Sequence, residues 1–171
     1  MDELKKLIRD IPDFPKKGIL FKDVTPLLGS ADGLRLTIRK LAEIIAGKQV
    51  TKVVGIESRG FIFGTALAHE MGLGFVPVRK PGKLPYQTVR ESYSLEYGTD
   101  AIEMHRDAVA PGERVVIVDD LLATGGTMAA AAKLVRAVGG DPLAGLVVIE
   151  LKSLNGRDKL RGLDVHALLQ Y

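Results

Sequence analysis

The run from Arg114 to Val138, RVVIVDDLLATGGTMAAAAKLVRAV, constrains the fold more than any other part of the chain. Arg114–Val118 is an apolar, β-branched run of the kind that forms a strand. Two adjacent acids and a loop of small residues follow it. A helical stretch then runs from Thr127 to Val138 and is closed by Gly139 and Gly140. The pattern of apolar run, small loop and helix recurs upstream. Lys52–Ile56 (KVVGI) reads as a strand, about Gly60 to Met71 as a helix stopped by Gly72, and Phe75–Val78 (FVPV) as the next strand. Ala101–His105, Gly145–Leu151 and Val165–Leu169 read as further strands. Such alternation predicts an α/β fold, with a central, mainly parallel sheet flanked by helices.

The amino-terminal part is less regular. Leu4, Leu7, Ile8 and Ile11 recur at helical spacing until Pro12 ends the run. Residues 12–29 carry Pro12, Pro15, Gly18, Pro26 and Gly29, and so form a loop-rich segment with a short strand at Ile19–Phe21. Leu34, Ile38, Leu41 and Ile45 mark an amphipathic helix stopped by Gly47. Residues 79–100 show no clean period, and an irregular segment of that length inside a domain is expected to be functional or mobile. There is no internal repeat or linker, so residues 1–171 are expected to form one domain.

Composition removes several chemistries. The chain contains no cysteine, which excludes disulfides, thiolate metal sites and cysteine nucleophiles. It has no Trp and only 5% aromatic residues, so a stacking platform for single-stranded nucleic acid is not expected. Lys and Arg number 24 against 21 Asp and Glu, and the resulting +3 demands neither nucleic acid nor a membrane as partner. The opening MDELKKLIRDIPDF mixes charges through its apolar positions, unlike a signal peptide, and no run reaches the ~20 apolar residues of a membrane helix. A cytoplasmic location is the expectation. His69 and Glu70 lack the second His of a zincin, and His105 and His166 sit in strand-like runs.

The candidate chemistry lies between Asp119 and Thr127. In an open α/β sheet, ligands bind at the carboxyl ends of the strands. A small-residue loop opening a helix (Ala123, Thr124, Gly125, Gly126, Thr127) lets backbone amides close on a phosphate, aided by the helix dipole. The Thr124 and Thr127 hydroxyls can add donors. Asp119 and Asp120 would repel a phosphate unless they face something else, and ribose hydroxyls or a magnesium ion would resolve that conflict. The same letters can also make a plain strand-to-helix turn with a solvated acid pair. Neither a GxxxxGK[ST] loop nor a GxGxxG fingerprint is present. Glu57–Gly60 follows a strand and opens a helix in the same way. There Ser58 and the backbone amides can meet an anion and Arg59 can add a charged fork, or Glu57 and Arg59 can simply pair with each other. Arg79, Lys80 and Lys83 leave the strand Phe75–Val78 and could neutralise a polyphosphate or form a solvated basic turn. Residues 84–100 hold Tyr86, Tyr93 and Tyr97 with Glu91 and Glu96, a composition suited either to a water-excluding lid or to an exposed hairpin.

The segment VVIVDDLLATGGT resembles the phosphoribosyl-pyrophosphate signature of the type I phosphoribosyltransferases, and DDLLATGGT is similar to the version found in their adenine-specific branch. DFPKKGILFKDVTPLL at 13–28, ESRGFIFG at 57–64, VRKPGKLP at 78–85 and YSLEYG at 93–98 agree with it in order, so the resemblance runs from Ile11 to Tyr171. It implies the type I phosphoribosyltransferase fold with a small amino-terminal hood at about 11–29 and a flexible catalytic loop at about 84–100. It also implies the transfer of a phosphoribosyl group from phosphoribosyl pyrophosphate to adenine with Mg²⁺, giving AMP and pyrophosphate in purine salvage. In the roles it carries over, Ala123, Thr124, Gly125, Gly126 and Thr127 hold the 5′-phosphate, while Asp119 and Asp120 hold the ribose hydroxyls. Glu57, Ser58, Arg59, Arg79 and Lys83 hold the pyrophosphate, with Glu57–Ser58 as the position of a non-proline cis peptide. Phe21 stacks on adenine, and the backbone groups of Leu20 and Lys22 bond its amino edge. Glu96 and Tyr97 reach the reacting centre, and the metal is carried mainly by the substrate. The resemblance also implies a homodimer. Two rivals remain open. One is a phosphoribosyltransferase for oxo-purines. The other is a non-catalytic regulator that senses phosphoribosyl pyrophosphate and carries an added DNA-binding domain, whereas the residues before Lys52 read here as helix and hood.

Overall fold

A computed structural model describes residues 1–94 and 98–171. Its centre is a five-stranded sheet in which every neighbouring pair is parallel, with spatial order β4-β3-β7-β8-β9. The strands are β3 (Lys52–Ile56), β4 (Gly74–Val78), β7 (Arg114–Leu122), β8 (Asp141–Glu150) and β9 (Asp164–Gln170). Their residues alternate between two apolar layers. Val54, Val115 and Ile117 point into one, and Val53, Val116 and Val118 into the other, as the period of two in a strand requires. Both faces must then be covered. Helix α5 (Gly126–Ala137) covers the first, and α3 (Ala31–Ile45) and α4 (Arg59–Met71) cover the second.

The helix limits follow from local chemistry. The Ser30 hydroxyl accepts from the Gly33 amide at 3.1 Å and caps α3. Gly72 closes α4 in the left-handed conformation at φ 65°. Strand β3 has the limits the sequence predicts, and β7 continues through the acid pair to Leu122.

Two expectations need correction. The helical spacing of Leu4, Leu7, Ile8 and Ile11 yields only a short helix α1 (Asp2–Lys5). Ile11 lies instead in β1 (Arg9–Pro12), paired antiparallel with β2 (Leu20–Asp23), with Ile11 opposite Phe21. Leu4 is buried, and Leu7 and Ile8 pack beside it without extending the helix; backbone pairing with a distant segment overrides the local period. A short helix α2 (Thr25–Leu28) links β2 to α3. The second correction concerns 79–100, expected to be irregular. Thr88–Ser94 is a strand, β5, paired antiparallel with β6 (Thr99–His105). Val89 and Tyr93 pack on the α5 side of the core, but Glu91 holds the inward position between them and pairs with Lys133 of α5 at 2.8 Å. A charge at the middle of the inward face erased the alternation. No helix among the described residues is long and apolar enough to cross a membrane.

Candidate functional site

The strand order sets the carboxyl end of β3 beside that of β7. Their helices leave toward opposite faces, α4 to one layer and α5 to the other. The crevice between them is where the winding of the sheet reverses, and there a ligand can reach two helix amino termini at once. Neither α4, with Ser58 at its N-cap, nor α5, with Gly125 at its N-cap, has a side-chain cap. Their first amides therefore remain donors toward the crevice.

The acid pair lies between these two termini. Asp120 is buried and ion-paired with Arg59 Nε at 2.7 Å, and its amide donates to Asp119 Oδ1 at 2.9 Å. Burial at the strand end, joined by the negative charge of Asp120, raises Asp119 well above the usual carboxylate range. Burial also raises Asp120, with the Arg59 charge pulling against it. Gly60 makes the arrangement possible. A Cβ there would lie 2.7 Å from the Val118 carbonyl and 3.0 Å from Asp119 Oδ1, so only glycine lets α4 close against the acid pair.

A cavity of about 390 Å³ opens over this pair, lined by Glu57, Ser58, Arg59, Lys80, Tyr93, Asp119, Asp120 and Thr127 among others. A smaller hollow of about 70 Å³ adjoins it, walled by residues 121–128 and Asp119, and so contains Ala123, Thr124, Gly125, Gly126 and Thr127. Its size and amide-rich wall suit one tetrahedral anion, while the larger space suits a polyhydroxylated ligand with further charge.

The basic turn after β4 divides its labour. Arg79 and Lys83 bind Glu57, with Arg79 Nε 3.3 Å from one oxygen and Lys83 Nζ 2.5 Å from the other, while the Lys80 amide donates at 3.0 Å. Burial alone would raise Glu57, but the bonds from Lys83, the Lys80 amide and Arg79 outweigh it and hold the carboxyl at about 2. Lys80 itself turns to the cavity, where its ammonium bonds Asp100 and Tyr93. Lys80 and Tyr93, which the sequence offers as part of a basic turn and of a lid or hairpin, thus both line the cavity. Their signal, a lysine between two other bases and a Tyr opposite it, was present but not directional.

A folded-state value below the ordinary 4.5 means that Glu57 stabilises the fold above that pH and loses this contribution as pH falls toward about 2. Glu57→Gln is therefore expected to flatten the acid limb of the stability curve between about pH 4.5 and 2. Urea titrations at stepped pH measure this, and an acid limb identical to that of the parent would contradict it.

The Glu57–Ser58 peptide is cis, at the bond the family resemblance implied. Phe21 lies 5.3 Å from the Arg59 guanidinium and meets Phe14 edge-on at 5.1 Å, which ties β2 to the cavity wall. Leu20 is exposed. The Lys22 ammonium turns away, to Asp10 at 2.6 Å and onto the Tyr171 ring at 4.0 Å. Glu96 and Tyr97 lie outside the described residues. Among the described residues no cluster of three or more His, Cys, Asp or Glu could by itself hold a metal.

Comparison with known proteins places these features in context. Residues 29–160 match the family model described as the phosphoribosyl transferase domain. A protein of Solidesulfovibrio magneticus named adenine phosphoribosyltransferase is 58% identical over 168 residues, covering 98% of both chains. The crystal structure of adenine phosphoribosyltransferase from Thermoanaerobacter pseudethanolicus superposes with a TM-score of 0.97 at 53% identity, covering 99% of each chain. That from Saccharomyces cerevisiae, complexed with an imino-altritol bisphosphate and adenine, gives 0.93 at 42%, covering 98% of this chain and 97% of that one.

Proposed function

The chain belongs to the adenine phosphoribosyltransferases of the phosphoribosyltransferase family, and from that premise we propose how its residues divide the work. The reaction joins adenine to the phosphoribosyl group of phosphoribosyl pyrophosphate and releases AMP and pyrophosphate, a step of purine salvage. The loop Ala123–Thr127 takes the 5′-phosphate on its amides and on the dipole of α5. Asp119 and Asp120 accept hydrogen bonds from the ribose diol, which explains why acids stand beside a phosphate site. Ser58, Arg59, Arg79 and Lys83 take the pyrophosphate, with Glu57 presenting the last two. Phe21 stacks on adenine, and the backbone of Leu20 and Lys22 bonds its amino edge. Glu96 and Tyr97 complete the site from the loop at about 84–100, and the segment at about 11–29 acts as the hood of a single domain.

In this arrangement the bond from the anomeric carbon to pyrophosphate breaks as a purine ring nitrogen attacks from the opposite face, and the proton that the purine ring gives up passes to the Glu96 carboxylate. The ribose gains positive character while the old bond lengthens ahead of the new one. The protein contributes alignment, which supplies on the order of 7–11 kcal/mol, and donors at the departing charge. No protein nucleophile is required.

The donor set suits Mg²⁺ carried by the substrate. Magnesium commonly takes one or two carboxylates plus phosphate oxygens, and the crevice offers the Asp119–Asp120 pair facing a space able to hold polyphosphate. Held there, Mg²⁺ would supply positive charge against that of the departing pyrophosphate. The reading also takes the working form to be a cytoplasmic homodimer acting on small molecules, without nucleic acid.

The observation that supports this reading most is the acid pair set between two uncapped helix amino termini at the switch point. Incubation with phosphoribosyl pyrophosphate and equal adenine, guanine and hypoxanthine, with and without Mg²⁺, tests it. AMP as the dominant product, lost without the metal, is expected. A preference for oxo-purines would remove the adenine role of residues 20–22. Ligand binding with no pyrophosphate release would leave a sensor.

A further inference from the structure

The phosphate loop does not support itself. Gly125 lies back to back with Gly156, which opens the second of two 3₁₀ turns (Lys152–Leu154 and Gly156–Lys159) between β8 and β9. A Cβ on Gly125 would fall 2.1 Å from the Gly156 carbonyl oxygen. A Cβ on Gly156 would fall 2.2 Å from the Ala123 carbonyl and 3.1 Å from the Gly125 nitrogen. The backbone of Gly156 is thus the floor on which the loop Ala123–Gly125 rests. Whatever fixes Gly156 fixes the amides above it.

Apolar anchoring begins only past the second turn, at Leu160 and Leu163, which are buried in the layer that α5 covers. Neither 3₁₀ turn contributes a buried side chain, and Gly156 is their only buried residue. The hold is polar and centres on the next residue. Arg157 forks onto Glu150, Nε to Oε1 at 2.6 Å and Nη2 to Oε2 at 2.8 Å, and its Nη1 donates to the Val165 carbonyl at 2.8 Å. Gln170 adds a donor to Glu150 Oε2 at 3.0 Å. Glu150 is buried at the carboxyl end of β8 and stands in register with Leu122, the residue before the loop. One guanidinium therefore clamps the turn to two strands at once, in the bidentate geometry that only Arg offers. None of the cavity or hollow walls includes Glu150 or Arg157.

We propose that Glu150 and Arg157 are positioning residues for the 5′-phosphate site: they seat Gly156 beneath Ala123–Gly125 and so set affinity for the phosphorylated sugar without touching it. This rests on the assignment of the loop to the 5′-phosphate. The clamp sits outside the base and pyrophosphate sites, so its loss should act selectively.

The test compares the parent with Arg157→Met, Arg157→Lys and Glu150→Gln in steady-state kinetics. Arg157→Met is expected to raise KM for phosphoribosyl pyrophosphate on the order of tenfold or more, with KM for adenine unchanged, in line with the effect of removing an outer support from a polar site. Arg157→Lys and Glu150→Gln, which keep part of the bonding, are expected to fall between. A KM for phosphoribosyl pyrophosphate equal to the parent's in all three, or a matched rise for both substrates, would overturn the proposal. If Arg157→Met does not fold, the two conservative variants carry the same comparison. Calorimetric titration with ribose 5-phosphate separates this proposal from the functional reading. Binding by the parent that weakens in the variants supports the clamp even if no AMP forms, whereas equal binding by parent and variants overturns the clamp even if AMP does form.

Discussion

Asp119→Asn is expected to lower kcat/KM on the order of a hundredfold while leaving the protein as stable as the parent or more so. The two effects have different origins. A carboxylate that accepts from a ribose hydroxyl makes a charge-assisted bond worth about 1.5–3 kcal/mol, more than an amide can supply, and the requirement grows as the sugar becomes cationic. In the free protein the same charge is a burden. Burial first, and then the neighbouring Asp120, raise the Asp119 carboxyl well above its ordinary 3.8. A raised folded-state value means the native protein binds a proton more tightly than the unfolded chain does. The group therefore subtracts stability as pH climbs from 3.8 to the raised folded value, and the full penalty remains above it. Asparagine removes that penalty. Asp120→Asn should show a comparable activity loss, again without loss of stability, because burial raises that carboxyl too, even against the Arg59 charge, and Arg59, 36% exposed, stays hydrated when its partner goes. Kinetics alongside thermal unfolding at stepped pH from 3.8 upward, where the stability curves of parent and variant should diverge, decide the matter. Parallel losses of activity and stability in both variants would reduce the pair to a structural role.

These acids were legible because strand, acids, loop and helix are contiguous. Arg114–Val118 fixes where the pair emerges, and Ala123–Thr127 has no bulky side chain to close the hollow. The parallel sheet was legible for a similar reason, since β3 and β7 are short apolar runs followed directly by their helices. Other features depended on pairing between distant segments. Ile11 has helical spacing, yet its backbone partner is Phe21. Glu91 hides the alternation of β5 because its charge is answered by Lys133 on another element. Arg79 and Lys83 look like free cations in sequence, but Glu57 already holds both, and Lys80 between them lines the cavity. Gly156 carries no sequence signal at all: its importance is the 2.2 Å that separates its missing Cβ from the Ala123 carbonyl.

The contact beneath the loop leads to the second large effect. Gly125→Ala is expected to lower kcat/KM by on the order of a hundredfold or more, the scale that a 1 Å misplacement of a binding group produces. Two penalties combine at this position. The backbone is left-handed, at φ 76° and ψ −4°, which costs an L-residue about 1–2 kcal/mol. The new methyl would also fall 2.1 Å from the Gly156 carbonyl oxygen, a backbone atom that no rotamer change can move. Relief requires the loop to lift off the turn, carrying the amides of residues 124–127 away from the position proposed for the 5′-phosphate. Gly112→Ala separates the two penalties. Gly112 also has positive φ, at 81°, but its Cβ would enter open space, so that variant should lose stability from the dihedral alone and keep the parent's kinetics. Kinetics and thermal melts on the pair make the comparison. If Gly125→Ala matched Gly112→Ala in both, the loop would be free to move off Gly156, and a rigid phosphate cradle could not be the basis of binding.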